Sequence, residues 1–472
     1  MKLNDKEPSR ARKVSQRFLV IFQATFFMLL PSYIRRRLRN EPAKHVKRSP
    51  TTYLNGFRGV MAFLVFVRHF SLPWQPDLDH GFGQGENHMG WFRLPVIRML
   101  YAGPNVPVFL VVSGFVMSLK PLMLLKLDQK DIFLKSMISS IFRRAIRMFP
   151  PPIFSSFMYM LLVHFGLFQL QYDTMDSLIP THPDRLPSFL EQFKDWIQFI
   201  FGELTNPWSW KIPHAAYGPH LWTIGLQFRS SMVLFLVLVG LANTRRQARQ
   251  AILALSFVYC MFTGRWDVAL YLSGMFMAGT IEYENRPDLT LDPPDMTVDL
   301  EKGYPPKPTI KLRSRIYSCC ILLAGLYLAS YPRARDGVGA PGYRFIYKIA
   351  PDYPYWQGSG AILLIWSLMC CKTAQIPFNC SVPQYLGKIA FSLYIVHEPL
   401  LHVLGYGIVN MAWNWTGKET VFQYQAGFVL GLLLTTPILL VSERLLCLYY
   451  PLPQGHETQK NNELTYDSLV VC

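Results

Sequence analysis

The chain is expected to fold as an all-α protein, a polytopic transmembrane helical bundle of about ten transmembrane helices, on three observations. Hydrophobic residues fill 51% of its 472 positions and charged residues only 16%, a balance suited to lipid rather than water. Apolar stretches of membrane-crossing character recur at about 54–72, 102–119, 150–170, 220–242, 250–263, 267–282, 316–331, 358–375, 385–405 and 425–446. Lys and Arg outnumber Asp and Glu by 47 to 30, and the excess gathers between those stretches, in 2–48, in 120–147 and at Arg245, Arg246 and Arg249. In a multi-span chain such basic segments mark cytosolic loops, so the lipid bilayer is the expected partner and nucleic acid is not.

The elements follow in order. Residues 1–50 read as a basic cytosolic arm whose apolar segment, 18–34, has basic residues on both flanks and suits the membrane interface better than a crossing. No cleavable signal peptide is evident. Residues 51–450 read as one membrane domain, interrupted by a disordered linker at 284–313 that is rich in Asp, Pro and Lys. A polar tail, 451–472, closes the chain. With both termini cytosolic, the loops at 71–98, 171–217 and 331–357 fall outside. Asn414-Trp415-Thr416, a glycosylation sequon, also falls outside, where it can be used, whereas Asn379-Cys380-Ser381 falls in the cytosol. The expected location is the endoplasmic reticulum, another endomembrane or the plasma membrane. Eight cysteines form no CxxC pair and no metal-type Cys/His spacing, so no metal is expected, and Cys319-Cys320 and Cys370-Cys371 read as reduced packing residues.

Chemistry is carried first by Arg58 and His69, ten residues apart in YLNGFRGVMAFLVFVRHFSLPW. Eleven helical steps bring the second side chain back to within roughly 20° of the first, roughly 16 Å along the axis. A lone histidine there reads as an interface residue. Paired with an arginine on one stripe it reads as a site, because ionisable groups inside a membrane segment are costly. Histidine can take a proton from a hydroxyl and pass it to a leaving group. Arg143, Arg144 and Arg147, ahead of Pro150-Pro151-Pro152, are either a positive-inside anchor or a bidentate phosphate site, and the prolines are expected to break or kink the chain. Ser113-Gly114 lies within a span and reads as a close-packing step, with no nucleophile-elbow sequence around the serine. His220, Trp222, Gln227 and Arg229 open another span, as an interface belt or as part of a site. His397 and Glu398 lie mid-span beside Pro399, which frees a backbone carbonyl; a structural network and a substrate-binding role stand level there.

These segments, in this order, resemble the acyltransferase-3 family of integral membrane acyltransferases, in its fungal branch. The resemblance runs from about residue 53 to 444 and rests on NGFRGVMAFLVFVRHF, PVFLVVSGF, RRAIRMFP, PHLWTIGLQFRSSM and LGKIAFSLYIVHEPL. It implies a ten-helix core that takes an acyl group from acyl-CoA, acetyl-CoA being the simplest such donor, on the cytosolic side. The group passes to a hydroxyl of a small-molecule or lipid acceptor: a secondary metabolite, lipid or glycan. By the same resemblance His69 is the catalytic histidine, Arg58 its partner in the pore, and Arg143, Arg144 and Arg147 hold the donor's phosphates or shape its entry. Ser113, Trp222, Gln227, His397 and Glu398 are the substrate and pore candidates.

One position departs from the family pattern. Gln227 stands where members usually carry Glu, and an amide can position by hydrogen bonding but cannot accept a proton or offset an imidazolium. The chain must then be slow, recruit another acid such as Glu398, or be inactive. An O-acyltransferase is the leading expectation. The alternative, from another class, is a catalytically impaired member serving as a membrane transporter or lipid-binding protein.

Overall fold

The computed structural model describes residues 38, 51–75, 78–83, 93–168, 183–206, 216–283, 308–309, 315–333, 340, 342–350 and 352–449. The apolar segment 18–34, nearly all of the linker 284–313 and the tail 451–472 lie outside the described residues. Among the described residues the chain is helical apart from one two-residue antiparallel pairing, Glu282–Tyr283 with Pro308–Thr309, at the base of the linker. The helices that form the bundle are α1 (Thr52–Ser71), α2 (Asn105–Lys126), α3 (Lys130–Met148), α4 (Pro150–His164), α5 (Phe189–Phe199), α6 (Trp222–Gly240) and α7 (Arg246–Phe262). They continue with α8 (Trp266–Gly279), α9 (Arg315–Ala329), α10 (Tyr353–Cys370), α11 (Ser381–Leu400), α12 (Tyr406–Thr416) and α13 (Val421–Tyr449).

Five stretches are long and apolar enough to cross a membrane: Asn105–Lys126, Lys130–His164, Pro219–Gly240, Ser381–Thr416 and Val421–Glu443. A sixth arises if α10 and the segment Lys372–Asn379, bent by 108°, count as one span. α8, with 14 residues, reaches only about 21 Å at 1.5 Å per residue, short of a hydrocarbon core of about 30 Å. α1 has the length at 20 residues, but carries Arg58, Arg68 and His69. One stretch differs from the sequence expectation. Residues 120–147 are not a loop: α3 fills most of them and runs on into α4, so the expected 150–170 span is the second half of a 35-residue helical path. The three prolines start α4 rather than stop the chain, because first-turn amides have no intrahelical acceptor to lose.

Two helix crossings organise the core. α1 and α11 run parallel: Gln384 Nε2 donates to the Thr52 carbonyl at 2.8 Å, and one helix turn on, Arg58 Nη2 donates to the Gly387 carbonyl at 2.9 Å. A Cβ on Gly59 would lie 2.1 Å from the Gly387 nitrogen, so the two backbones touch where neither residue has a side chain. α2 and α8 cross likewise, a Cβ on Gly114 falling 2.2 Å from the Tyr271 carbonyl oxygen. This is the close-packing role expected of Ser113-Gly114, and Ser113 is buried beside it. α7 and α8 form an antiparallel hairpin, as do α12 and α13, where Trp413 Nε1 donates to the Tyr424 carbonyl at 2.8 Å. None of the described cysteines forms a disulfide; Cys370 is buried and Cys371 half-buried, whereas Cys319 and Cys320 are exposed on α9.

Buried charge is matched inside the bundle. Arg229 Nη2 of α6 lies 2.8 Å from Asp267 Oδ2 of α8, and the Ser230 hydroxyl donates to the same oxygen at 3.1 Å. In the loop after α1, Arg68 Nη1 lies 2.9 Å from Asp79 Oδ1, and Arg333 donates its amide to the Asp79 carbonyl at 3.0 Å. Burial pushes the Asp79 carboxyl up, but the Arg68 guanidinium, backed by Arg333 and Arg98, outweighs it and holds the group below the usual carboxylate range. Burial in turn pushes Arg98 and Arg333 down to about 10.

Asp267→Ala leaves a buried guanidinium without its partner, and is expected to cost about 3–5 kcal/mol of stability, read as the unfolding midpoint in detergent. Replacing Arg229 and Asp267 together by leucine is expected to restore most of that loss. For Asp79 the folded value is depressed, so its contribution is present above the unfolded value of about 3.9 and is lost as pH falls through the folded value. Hydrogen-exchange protection factors at 78–83 and 93–102 are therefore expected to hold from about pH 5 upward and to fall only below about pH 4, whereas Asp79→Asn lowers them throughout.

Candidate active site

The parallel register of α1 and α11 decides what His69 meets. Eleven residues beyond Arg58 on α1, its Nδ1 lies 3.1 Å from Glu398 Oε2, eleven residues beyond Gly387 on α11. Three more imidazoles face the same carboxylate. His397 Nε2 and His220 Nδ1 stand 3.7 and 3.8 Å from Oε2, and His402 Nε2 stands 3.6 Å from Oε1. The rings pack on one another, His69 on His397 at 5.1 Å between centroids and His397 on His220 at 4.8 Å. Exposure separates them: the His69 side chain is 24% exposed, while those of His220, His397 and His402 are 1% or less. Only His69 among the four is open to a substrate.

Local sequence explains the frame. Pro399 has no N–H to give to the Ile395 carbonyl four residues earlier, and Ser155 of α4 fills the gap, donating its hydroxyl at 3.1 Å. His397 Nδ1 donates to the Leu393 carbonyl at 3.2 Å, which turns Nε2 toward Glu398. A π-helical turn, Leu401–Gly405, follows and carries His402 one turn past Glu398. From α6, the Thr223 hydroxyl bonds the Tyr394 hydroxyl at 2.6 Å, and Tyr394 in turn donates to the His220 carbonyl. The polar groups of the α6 entrance and of α11 therefore form one buried network.

The sequence candidates divide. His69, His397 and Glu398 come together. Arg58 stays about three helical turns away from them, hydrogen-bonded to Gly387 and to Asn55 Oδ1 at 3.0 Å. Trp222 opens α6 next to Thr223, and Gln227 is buried one turn further along the same helix. In the arginine cluster Arg144 is buried and reaches the Tyr271 hydroxyl of α8 at 3.4 Å, while Arg143 is exposed and Arg147 half-buried. A second basic group lines a cavity of about 230 Å³ between the end of α2 and the start of α7, with Lys126, Arg246 and Arg249 in its wall. Asn414 is exposed in the last turn of α12. His402, which stands i, i+4 from Glu398, joins the cluster without having been a sequence candidate, and His220, left open between an interface belt and a site, lies against the same carboxylate.

A carboxylate 3.1 Å from a partly open imidazole is an arrangement capable of acid–base chemistry. The model of the acyltransferase-3 family, described as an acyltransferase domain, matches residues 51–443. The chain belongs to this family. It is 29% identical over 402 residues to an O-acetyltransferase, PaAT-1, of Phomopsis amygdali, covering 79% of this chain and 77% of that protein. It is 27% identical to acyltransferase R4 of a Phoma species over 80% of this chain and 89% of that protein, and 25% identical to acyltransferase clz18 of Cochliobolus lunatus over 80% and 88%. No solved structure matches it. Family membership supports transferase activity between an acyl donor and an acceptor, and the apolar helices match a family that lives in membranes.

Tyr394→Phe removes the hydroxyl that links Thr223 to the His220 carbonyl, leaving both without it. The expected loss is about 1–3 kcal/mol, read as the unfolding midpoint in detergent, with the α-helical circular dichroism unchanged.

Proposed function

We propose that this family member is a membrane O-acyltransferase in which His69 is the general base and Glu398 orients it. The observation that carries the reading is the 3.1 Å approach of Glu398 Oε2 to His69 Nδ1, on the one imidazole of the cluster that is open. With Nδ1–H given to the carboxylate, Nε2 keeps its lone pair for the acceptor. The acceptor hydroxyl loses its proton to Nε2 as its oxygen attacks the thioester carbonyl of the donor. The carbon–sulfur bond then breaks, and the leaving thiolate takes the proton back from the imidazolium. Glu398 stabilises that imidazolium, the task that a glutamate at position 227 would otherwise share.

The donor in this reading is acyl-CoA, carrying acetyl or another short acyl group, in keeping with the name of the Phomopsis relative. Its phosphates suit the basic groups on the side where the positive-inside rule puts the cytosol: Arg143, Arg144 and Arg147, and the cavity group Lys126, Arg246 and Arg249. The acceptor is a hydroxyl of a secondary metabolite, lipid or glycan. About ten crossings, cytosolic termini, an endomembrane or plasma-membrane location and glycosylation at Asn414 complete the proposal. The parallel course of α1 and α11 supports it, because a first and a ninth crossing must run the same way.

Purified protein given radiolabelled acetyl-CoA and hydroxyl acceptors tests the chemistry. His69→Ala is expected to lower transfer by about 10²–10⁴-fold and Glu398→Gln by at least about 10²-fold; undiminished transfer in His69→Ala rules out the base role. Gln227→Glu separates the transporter or lipid-binding alternative. Little change from an active wild type is expected here, whereas a large gain from an inactive one marks an impaired catalyst.

A further inference from the structure

The cluster around Glu398 contains an opposition that the acyl-transfer reading does not use. His397 Nδ1 meets the Leu393 carbonyl at 3.2 Å, and an oxygen of that kind only accepts, so this nitrogen carries the proton. In the neutral ring Nε2 then bears a lone pair, and it faces Glu398 Oε2, also an acceptor, at 3.7 Å with both side chains buried. Two acceptors turned toward each other in a low-dielectric interior repel, unless a cation lies between them. His69 Nδ1 lies 3.1 Å from the same oxygen, and one ligand atom from each of His69, His397 and Glu398 falls within 4.8 Å of the others.

We propose that His69, His397 and Glu398 bind one zinc ion, and that zinc in this position silences His69 as a base; the second part rests on the acyl-transfer reading. Two imidazoles and a carboxylate are a zinc donor set, with zinc–ligand distances of about 2.0–2.2 Å and hence ligand–ligand edges of about 3.3 Å in a tetrahedron. The observed separations bracket that edge. The nitrogen donors disfavour magnesium and calcium, which take oxygen. The Leu393 carbonyl supplies the outer hydrogen bond that fixes a metal-ligating imidazole, and His402 Nε2 stands 3.6 Å from the other carboxylate oxygen, Glu398 Oε1. His220 Nδ1 also lies 3.8 Å from Oε2, and a water can take the fourth position. Zinc on His69 Nδ1 displaces its proton and leaves the remaining ring proton on Nε2, so the nitrogen that faces the acceptor can no longer take a proton.

The test uses the purified full chain in detergent, stripped with chelator and titrated with zinc alone. One zinc per chain is expected for the wild type and for the distant control His164→Ala. His397→Ala is expected to bind at least about 100-fold more weakly, more than removal of an outer-shell partner costs. No uptake by the wild type, or unchanged affinity in His397→Ala, overturns the site. Cobalt(II) added to the wild type needs no variant: intense visible bands of tetrahedral cobalt are expected, and their absence overturns the site. Transfer by the zinc-free protein is expected to fall to background at one equivalent of zinc; unaltered transfer at saturation overturns the silencing. The two readings fail separately. Zinc-free protein that transfers acyl groups through His69 but takes up no zinc loses only the metal site. A chain that binds zinc but transfers nothing when zinc-free loses only the acyl-transfer reading.

Discussion

At Gly59 and Gly387 two helix backbones meet with no side chain between them, and the consequences run the length of both helices. Because α1 and α11 run parallel, the offset of 329 positions that pairs Arg58 with the Gly387 carbonyl also pairs His69 with Glu398. A side chain at either glycine would push the helices apart at the crossing and carry the imidazole away from its carboxylate. The buried arginine at one end and the half-open histidine at the other are thus two ends of one contact. Close approach of this kind is how helices associate where lipid gives them no hydrophobic reason to do so.

The rest of the bundle follows a second rule, that polar groups taken out of water must find partners inside the protein. Pro399 frees the Ile395 carbonyl and Ser155 takes it up, tying α4 to α11. Arg229 is met by Asp267 and Arg144 by Tyr271, so α6 and α3 are both held to α8 by guanidinium groups. Glu398 is met by four imidazoles. The serine and the two guanidinium contacts are cross-helix links, and His69 and His220 bring two further helical segments to Glu398, with His69 the exposed edge of that cluster. A site in which three histidines are sealed and one is open suits chemistry at that one, with the others setting its charge environment.

Much of this was legible in local patterns. Arg58 and His69 announced themselves by their spacing, and His397 with Glu398 by standing mid-span beside a proline. Gly114 was readable as a packing step because small residues in apolar helices have few other uses. What local pattern could not tell was pairing. Nothing in the sequence says that the carboxylate for His69 stands on α11, although the glutamine at 227 raised the question. Nor does the arginine run decide that Arg144 turns inward while Arg143, one position away, stays at the surface. The arginine and proline runs also misled about α3, because basic residues and Pro150 looked like a loop and a stop where a helix simply restarts.

By itself the sequence determined composition-level facts: an all-helical protein of apolar segments, basic residues gathered between those segments, and a short set of ionisable residues within them. Those are properties of single segments, set by hydropathy, helical period and the price of a charge in lipid. The tertiary structure alone decided the partners. It chose the parallel course of α1 and α11, gathered four histidines from three regions of the chain onto one carboxylate, and left one of them open. The physical reason is that register between distant helices is set by where their backbones can touch, which depends on both surfaces at once and is written in neither alone.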